Sequence, residues 1–386
     1  MKRILTSYTW KIVALAALTA AAIVGRAVAQ TSPAYTYKVL HTFNTHDGPV
    51  EGSLSIDSMG NLFGSSTAEM GRARGGFIFK LANLTRGNWP RRGLTWFPIW
   101  DTQGGLFPEA PPVADAAGLL FGTTTRGGAS DCGVVYMIWG RARTKLYSFA
   151  CGNDASSPTL PLAIDSADNL FGVGDGGAYG GGVAFEVSPQ QDGTWTEKVL
   201  HSFGNGDGNR PSSLILDHAG NLYGTTTYGG PHGCGTVFEL IPSPDGTWTE
   251  NVIYDFLCGA DGGNPAGPLA IDASGNLYGT TAFGGNAGLG TVFKVHHKLN
   301  GSWTERVLYS FTGGSGDGSR PHSNLMFDGA GNLYGTSSVV FRLRPRGHNI
   351  WTESLVFNLS LPQGMVVDKS GNVFGAGGFT AFELVR

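Results

Sequence analysis

Charge is scarce in this 386-residue sequence, with only 14% Asp, Glu, Lys and Arg and no basic cluster. A nucleic-acid binder presents a basic face, so nucleic acid is not an expected partner. Beyond residue 30, no apolar run approaches the roughly 20 residues of a bilayer span,. Four cysteines are present and none forms a Cys-x-x-Cys pair, which argues against a zinc ribbon,. The sequence also lacks Gly-x-Ser-x-Gly, His-Glu-x-x-His and a phosphate-binding Gly-Lys-Ser, so no catalytic template is legible,. No helical period runs through it,.

The first thirty residues are the exception to the short apolar runs. Lys2 and Arg3 precede an apolar stretch from Ile12 to Val24, and Ala27-Val28-Ala29 supplies a small-residue cleavage site,. Residues 1–29 are therefore expected to be a signal peptide, with 30–36 a short linker. Of the 26 Lys and Arg, four (Lys2, Arg3, Lys11, Arg26) lie in 1–29, leaving 22 against 29 Asp and Glu. The mature chain is thus acidic by about seven charges, which disfavours anionic membranes as well as nucleic acid. A secreted or periplasmic location is expected, with no membrane span after cleavage.

What the sequence has in abundance is a repeat. Asn-Leu-(Phe/Tyr)-Gly or a close variant begins at Asn61, Leu119, Asn169, Asn221, Asn276, Asn332 and Asn372, each four residues after an Asp. The spacing of 40 to 58 residues denotes stacked supersecondary units,. In the clearest unit, strand A is Leu269 to Asp272, a tight turn follows, and strand B is Asn276 to Thr281,. Strand C is Gly290 to Val295, and strand D runs from Trp303 to Phe311 after an Asn-Gly turn. Four antiparallel strands in about 50 residues make one propeller blade. Seven units predict an all-β, seven-bladed propeller of four-stranded blades over residues 37–386. Residues 37–43 match strand D with nothing before them, whereas the last unit stops after strand C at 379–385. Pairing these two segments closes the ring and removes an exposed edge.

The same alignment assigns the conserved-looking residues of the repeat to structure. Asp57, Asp115, Asp165, Asp217, Asp272, Asp328 and Asp368 are expected to fix the A–B turns by accepting backbone hydrogen bonds. Aromatics on strands B and C are expected to fill the space between blades, and the Gly after each strand B aromatic to relieve crowding. Cys132 and Cys234 precede a strand C, and Cys151 and Cys258 follow the strand D of the same unit. The open ends of a hairpin come together, which predicts disulfides Cys132–Cys151 and Cys234–Cys258. No cofactor and no metal are expected.

Function is sought where the repeats differ, because packing does not require the difference. The B–C and D–A loops share one face, and there they offer Arg126, Asp154, Asp175, Tyr179, Arg210, Tyr228, His232, Phe283, Arg320 and His322 as candidate ligand-binding residues. Charged and aromatic groups around a propeller mouth suit a sugar or a peptide.

The strings Asn-Leu-Tyr-Gly-Thr-Thr-Thr-Tyr-Gly-Gly at 221–230, Gly-Cys-Gly-Thr-Val-Phe-Glu-Leu at 233–240 and Trp-Thr-Glu-Arg-Val-Leu-Tyr-Ser-Phe at 303–311 resemble the bacterial GloVer tandem repeat. The resemblance covers residues 36–386, closely from 160 to 345 and with degraded motifs from 66 to 150. It implies an exported repeat protein and brings no catalytic residues with it. Members with C-terminal surface anchors are part of that resemblance. This sequence ends at strand C, so free secretion or a periplasmic home is expected instead. Two functional readings stand: a monomeric binding propeller for a polysaccharide, a peptide or a cell-envelope protein, and an extracellular enzyme acting on carbohydrate or a lactone at the propeller mouth.

Overall fold

A computed structural model describes residues 35–386 except 45–49, 51–52, 68–73, 85–88, 213, 299, 315, 348–349 and 359–363. The signal-peptide reading and most of the linker lie outside the described residues. The chain forms seven four-stranded antiparallel blades in a ring, and among the described residues the one 3-10 turn is at Thr102–Gly104. Blade 5 shows the plan, with A at Gly263–Ile271, B at Leu277–Phe283, C at Thr291–His297 and D at Trp303–Ser310. In blades 3 and 4 strand A is interrupted, as Ala155–Ser156 with Ala163–Ile164 and as Asn209–Pro211 with Ile215–Leu216. Prolines 158, 161 and 211 cannot donate to a ladder and so weaken the pairing there, although blade 5 keeps strand A whole with Pro265 and Pro268 in it,.

The ring closes as the sequence predicts. Thr36–Thr42 pairs antiparallel with Thr380–Val385, from Thr36 opposite Val385 to Thr42 opposite Thr380, with a bulge between Val39 and His41. Strand D of blade 7 therefore comes from the start of the described chain. The Tyr35 hydroxyl then sits 3.0 Å from the Tyr334 hydroxyl, and Phe43 is 2% exposed.

Each Asp of the repeat closes its A–B turn. Asp217 Oδ1 accepts the N–H groups of Ala219 and Asn221, and its Oδ2 accepts the Asn221 amide at 2.9 Å. The same side-chain pair forms in six blades, which explains why Asn opens the motif. In blade 2 Leu119 replaces Asn, and only the backbone bonds to Asp115 remain.

The motif glycine does relieve crowding, as expected. What approaches it is the strand C ring of its own blade. A Cβ on Gly224 would lie 2.5 Å from Phe238 Cζ, and on Gly279 2.4 Å from Phe293 Cζ. Gly224→Ala should destabilise the protein by about 1–3 kcal/mol through overpacking. Urea denaturation measures this, and the companion change Phe238→Leu should recover part of the loss.

The core lies between blades. Six strand D phenylalanines meet the strand C aromatic of the next blade, as in Phe203 with Phe238 (4.8 Å) and Phe256 with Phe293 (5.1 Å). Strand B aromatics meet a different partner, the Trp opening strand D of the next blade, as in Phe171 with Trp248 (6.0 Å) and Tyr223 with Trp303 (5.9 Å). The expected inter-blade aromatic layer is present, with strand D supplying both missing halves of the pairs.

Both disulfides form as the hairpin argument requires. Cα–Cα separations are 5.7 Å for Cys132–Cys151 and 5.5 Å for Cys234–Cys258.

Candidate functional site

The loop-rich mouth is built on an unusual backbone. Phe107, Ser157, Arg210, Asn264 and Arg320 each precede a proline and adopt φ between 46° and 61°. A residue before proline is ordinarily extended, and a non-glycine left-handed residue costs about 1–3 kcal/mol. Two contacts to the preceding blade offset this. The N–H of each donates to that blade's backbone, Arg210 to Gly181 O at 2.7 Å and Arg320 to Leu289 O at 2.8 Å. The proline packs on the glycine leading into strand C, so that a Cβ on Gly182 would lie 2.5 Å from Pro211 Cδ. Packing thus fixes the backbone of this position and leaves its side chain to vary, which it does.

Three concavities run outward from the ring axis. The central channel, about 420 Å³, is lined by the starts of inner strands, including Ser53, Glu109, Thr159, Gly267 and His322. A second, about 330 Å³, shares Thr159, Leu160 and Gly267 with it and adds Ser157, Asp175, Arg210, Ser212 and Thr227. A third, about 340 Å³, shares Asp175 and Arg210 with the second and adds Tyr179 and Asn209. Asp175 and Arg210 therefore wall both outer concavities, and the three adjoin as a furrow across blades 3 and 4.

The other candidates fall into distinct places. The Arg210 guanidinium lies 6.0 Å from the Tyr228 ring centre, and Arg320 lies 5.3 Å from that of Phe283, two cation–π pairs on the same face,. His322 reaches the channel, its Nδ1 3.0 Å from Arg320 O. Arg126 lines a separate, more open hollow with Gln103 and Asp131. Asp154 is engaged in its own loop: it accepts from the Tyr147 hydroxyl and from the N–H groups of Ala150 and Ala155. His232 pairs with Asp255 beside the Cys234–Cys258 bridge.

Four strongly perturbed carboxyl groups lie elsewhere, at the blade interfaces. Glu197, Glu250, Glu305 and Glu353 occupy one position of strand D in blades 3 to 6. Each faces the Asp of the loop that follows strand D of the preceding blade: Asp154, Asp207, Asp261 and Asp317. Burial first, and the facing carboxylate second, push Glu197, Glu250 and Glu353 up to about 7 and Glu305 up to about 8. One oxygen of each is buried with no hydrogen-bond partner. A phenol caps three of the pairs: Tyr147 on Asp154, Tyr254 on Asp261 and Tyr309 on Asp317. In blade 2 the glutamate position holds Arg143, which pairs with Asp101 at 2.6 Å.

Sequence reasoning missed this array. Its signal was present as Trp-Thr-Glu opening four strands D, with Arg at the same place in blades 1 and 2. Nothing local shows that the glutamate meets an Asp 36 to 44 residues earlier.

Solved structures similar to this chain share its fold. A catalytically inactive virginiamycin B lyase from Staphylococcus aureus with quinupristin matches at a TM-score of 0.58 and 14% identity, over 91% of this chain and 99% of that chain. The extracellular domain of a one-component system from B. thetaiotaomicron matches at 0.57 and 13%, over 91% of this chain, which spans 42% of that one. A protein described as a 6-phosphogluconolactonase from Bacteroides uniformis matches at 0.53 and 10%, over 88% of each chain. At these identities the likeness is one of fold, and no curated protein sequence matches the chain. The repeat that generates the blades matches the Gloeobacter/Verrucomicrobia repeat over residues 23–197 and 144–340, and the chain belongs to that family.

Proposed function

We propose that this protein is an exported binding propeller whose mouth holds an extended glycan along the furrow over blades 3 and 4. The observation that carries the reading is the row of adjoining concavities from the central channel past Asp175 and Arg210 to Tyr179. Its walls carry hydroxyls from Ser157, Thr159 and Thr227, which suit the hydroxyls of a sugar chain,. Arg210 offers a fork of donors and Asp175 an acceptor. Tyr179, 60% exposed at the outer end, supplies a flat face on which a sugar ring stacks,. Two disulfides fit an oxidising, extracytoplasmic compartment,. Among the described residues no helix is long and apolar enough to cross a membrane.

Immobilised hexasaccharides test the reading: cellohexaose, xylohexaose, chitohexaose and hexagalacturonate. At least one should retain the protein. Arg210→Ala and Tyr179→Ala should each weaken that binding by about tenfold, with Arg126→Ala, outside the furrow, leaving it unchanged. No retention on any of the four, or retention equal in all variants, overturns the proposal. Release of shorter products during incubation would replace it with an enzymatic one.

A further inference from the structure

The carboxylate pairs at the blade interfaces form an internal comparison series. Two half-buried carboxyl groups facing each other need a shared proton or a positive charge between or beside them. At the interface of blades 1 and 2 Arg143 takes the glutamate's place and meets Asp101 directly. Between blades 2 and 3, 4 and 5, and 5 and 6 the third member of the group is a tyrosine, whose neutral phenol donates a hydrogen to the Asp. Between blades 3 and 4 the same strand D position holds His201. Its Nε2 lies 2.6 Å from Asp207 Oδ2, and one ligand atom each of His201, Asp207 and Glu250 lie within 4.8 Å of one another.

Packing does not require that exchange, because three interfaces are built with tyrosine. Imidazole brings what phenol lacks there, a neutral nitrogen lone pair suited to a borderline-soft divalent ion. Other contacts hold the group in place. Asp207 Oδ1 accepts the Gly204 N–H at 3.0 Å, and the His201 ring stands edge-on to Phe203 at 4.7 Å. Glu250 keeps one oxygen buried and without a hydrogen-bond partner. The His201 side chain is 24% exposed and that of Asp207 15%, so an ion has a path in.

We propose that His201, Asp207 and Glu250 form a binding site for a divalent metal of the zinc class at the interface of blades 3 and 4. One nitrogen and two carboxylate ligands, with a fourth position left to water, match zinc's tetrahedral preference. The ion takes the place of the proton between His201 Nε2 and Asp207 Oδ2, and it clamps adjacent blades through ligands 49 residues apart in sequence. No sequence pattern for metal exists here because the ligands belong to two different blades. The site is separate from the mouth furrow and does not rest on the glycan reading.

Isothermal titration of ZnCl2 into the chelator-treated full chain tests the assignment, with thermal melts in parallel. One zinc per chain and a raised melting temperature are expected. His201→Tyr reproduces the arrangement of the other three interfaces, so it should fold and should weaken zinc binding by at least about 100-fold, more than the 10–100-fold typical of outer-sphere changes. Glu250→Gln should do the same and carries the comparison if His201→Tyr fails to fold. No zinc binding by the parent protein, or binding undiminished in the folded variants, overturns the proposal. So does a CaCl2 titration showing several ions per chain bound equally well by His201→Tyr, since that would assign the pairs to an oxygen-only cation.

Discussion

Deleting residues 35–44 should lower the melting temperature by tens of degrees or leave no cooperative transition in a circular dichroism melt. The deletion removes the whole outer strand of blade 7, Thr36–Thr42, with its ladder to Thr380–Val385. It uncovers strand C of that blade as an unpaired edge, and such an edge invites aggregation. It also takes Phe43 from between blades 7 and 1, where the ring lies 4.8 Å from Phe79. Arg342, fully buried, loses the Tyr35 hydroxyl that its Nη1 reaches at 3.5 Å. The single change Phe43→Ala should already cost about 3–5 kcal/mol, as large-to-small changes at buried aromatics do. A synthetic peptide of residues 35–44 added to the deleted protein should restore part of the melt. An unchanged melting temperature after deletion would show that the ring does not depend on this strand.

The second large effect is on pH. Stability should be highest near pH 5 and should fall toward pH 9, with a melting temperature lower by on the order of 10 °C. Glu197, Glu305 and Glu353 are held above the ordinary carboxyl range by burial and by Asp154, Asp261 and Asp317 opposite them. In the unfolded chain these glutamates ionise near pH 4.3, whereas the folded chain keeps their protons until about pH 7 to 8,. Their contribution is therefore complete below the unfolded value, and it is lost as pH rises through the folded values. On the acid side the sign reverses. Burial pushes Asp272 and Asp328 up, but hydrogen bonds led by the Asn276 and Asn332 side chains pull them below the ordinary value overall. Their contribution is lost as pH falls below the carboxylate range. The triple variant Glu197→Gln, Glu305→Gln, Glu353→Gln should flatten the alkaline limb, because an amide hydrogen replaces the acid proton at each pair. Melts of parent and variant at pH 5, 7 and 9 are the measurement. A parent protein as stable at pH 9 as at pH 5 would remove the carboxyl pairs from the account.

The array behind that prediction also shows where sequence reasoning stops. Strand boundaries, the A–B turns and the disulfides are local: each is fixed within one unit of about 50 residues by alternation, turn chemistry and hairpin geometry. For that reason Asp217 closing its turn, Cys234 meeting Cys258, and the closing strand were legible. The glycine of the motif was half legible. A small residue was evidently required, but only the fold shows the Phe238 ring lying across Gly224.

Residues on neighbouring blades are another matter. Trp-Thr-Glu reads as an ordinary exposed strand, and Asp207-Gly-Asn-Arg-Pro reads as an ordinary loop. Blade twist and the angle between blades bring Glu250 of one to Asp207 and His201 of the other. The mouth divides the same way. Arg210 and Asp175 meet in one furrow, while Asp154, equally charged and on an equivalent loop, turns back onto Tyr147 and its own backbone.

By itself the sequence determined the family, the number of blades, the strand that closes the ring and both cysteine pairs, because those depend on register within a repeat. Only the tertiary structure decided which carboxylates face one another, where a histidine replaces a phenol, and which of ten loop residues share a surface. Those contacts depend on how one blade is rotated onto the next, an angle set jointly by all the side chains between them and not written in any single unit.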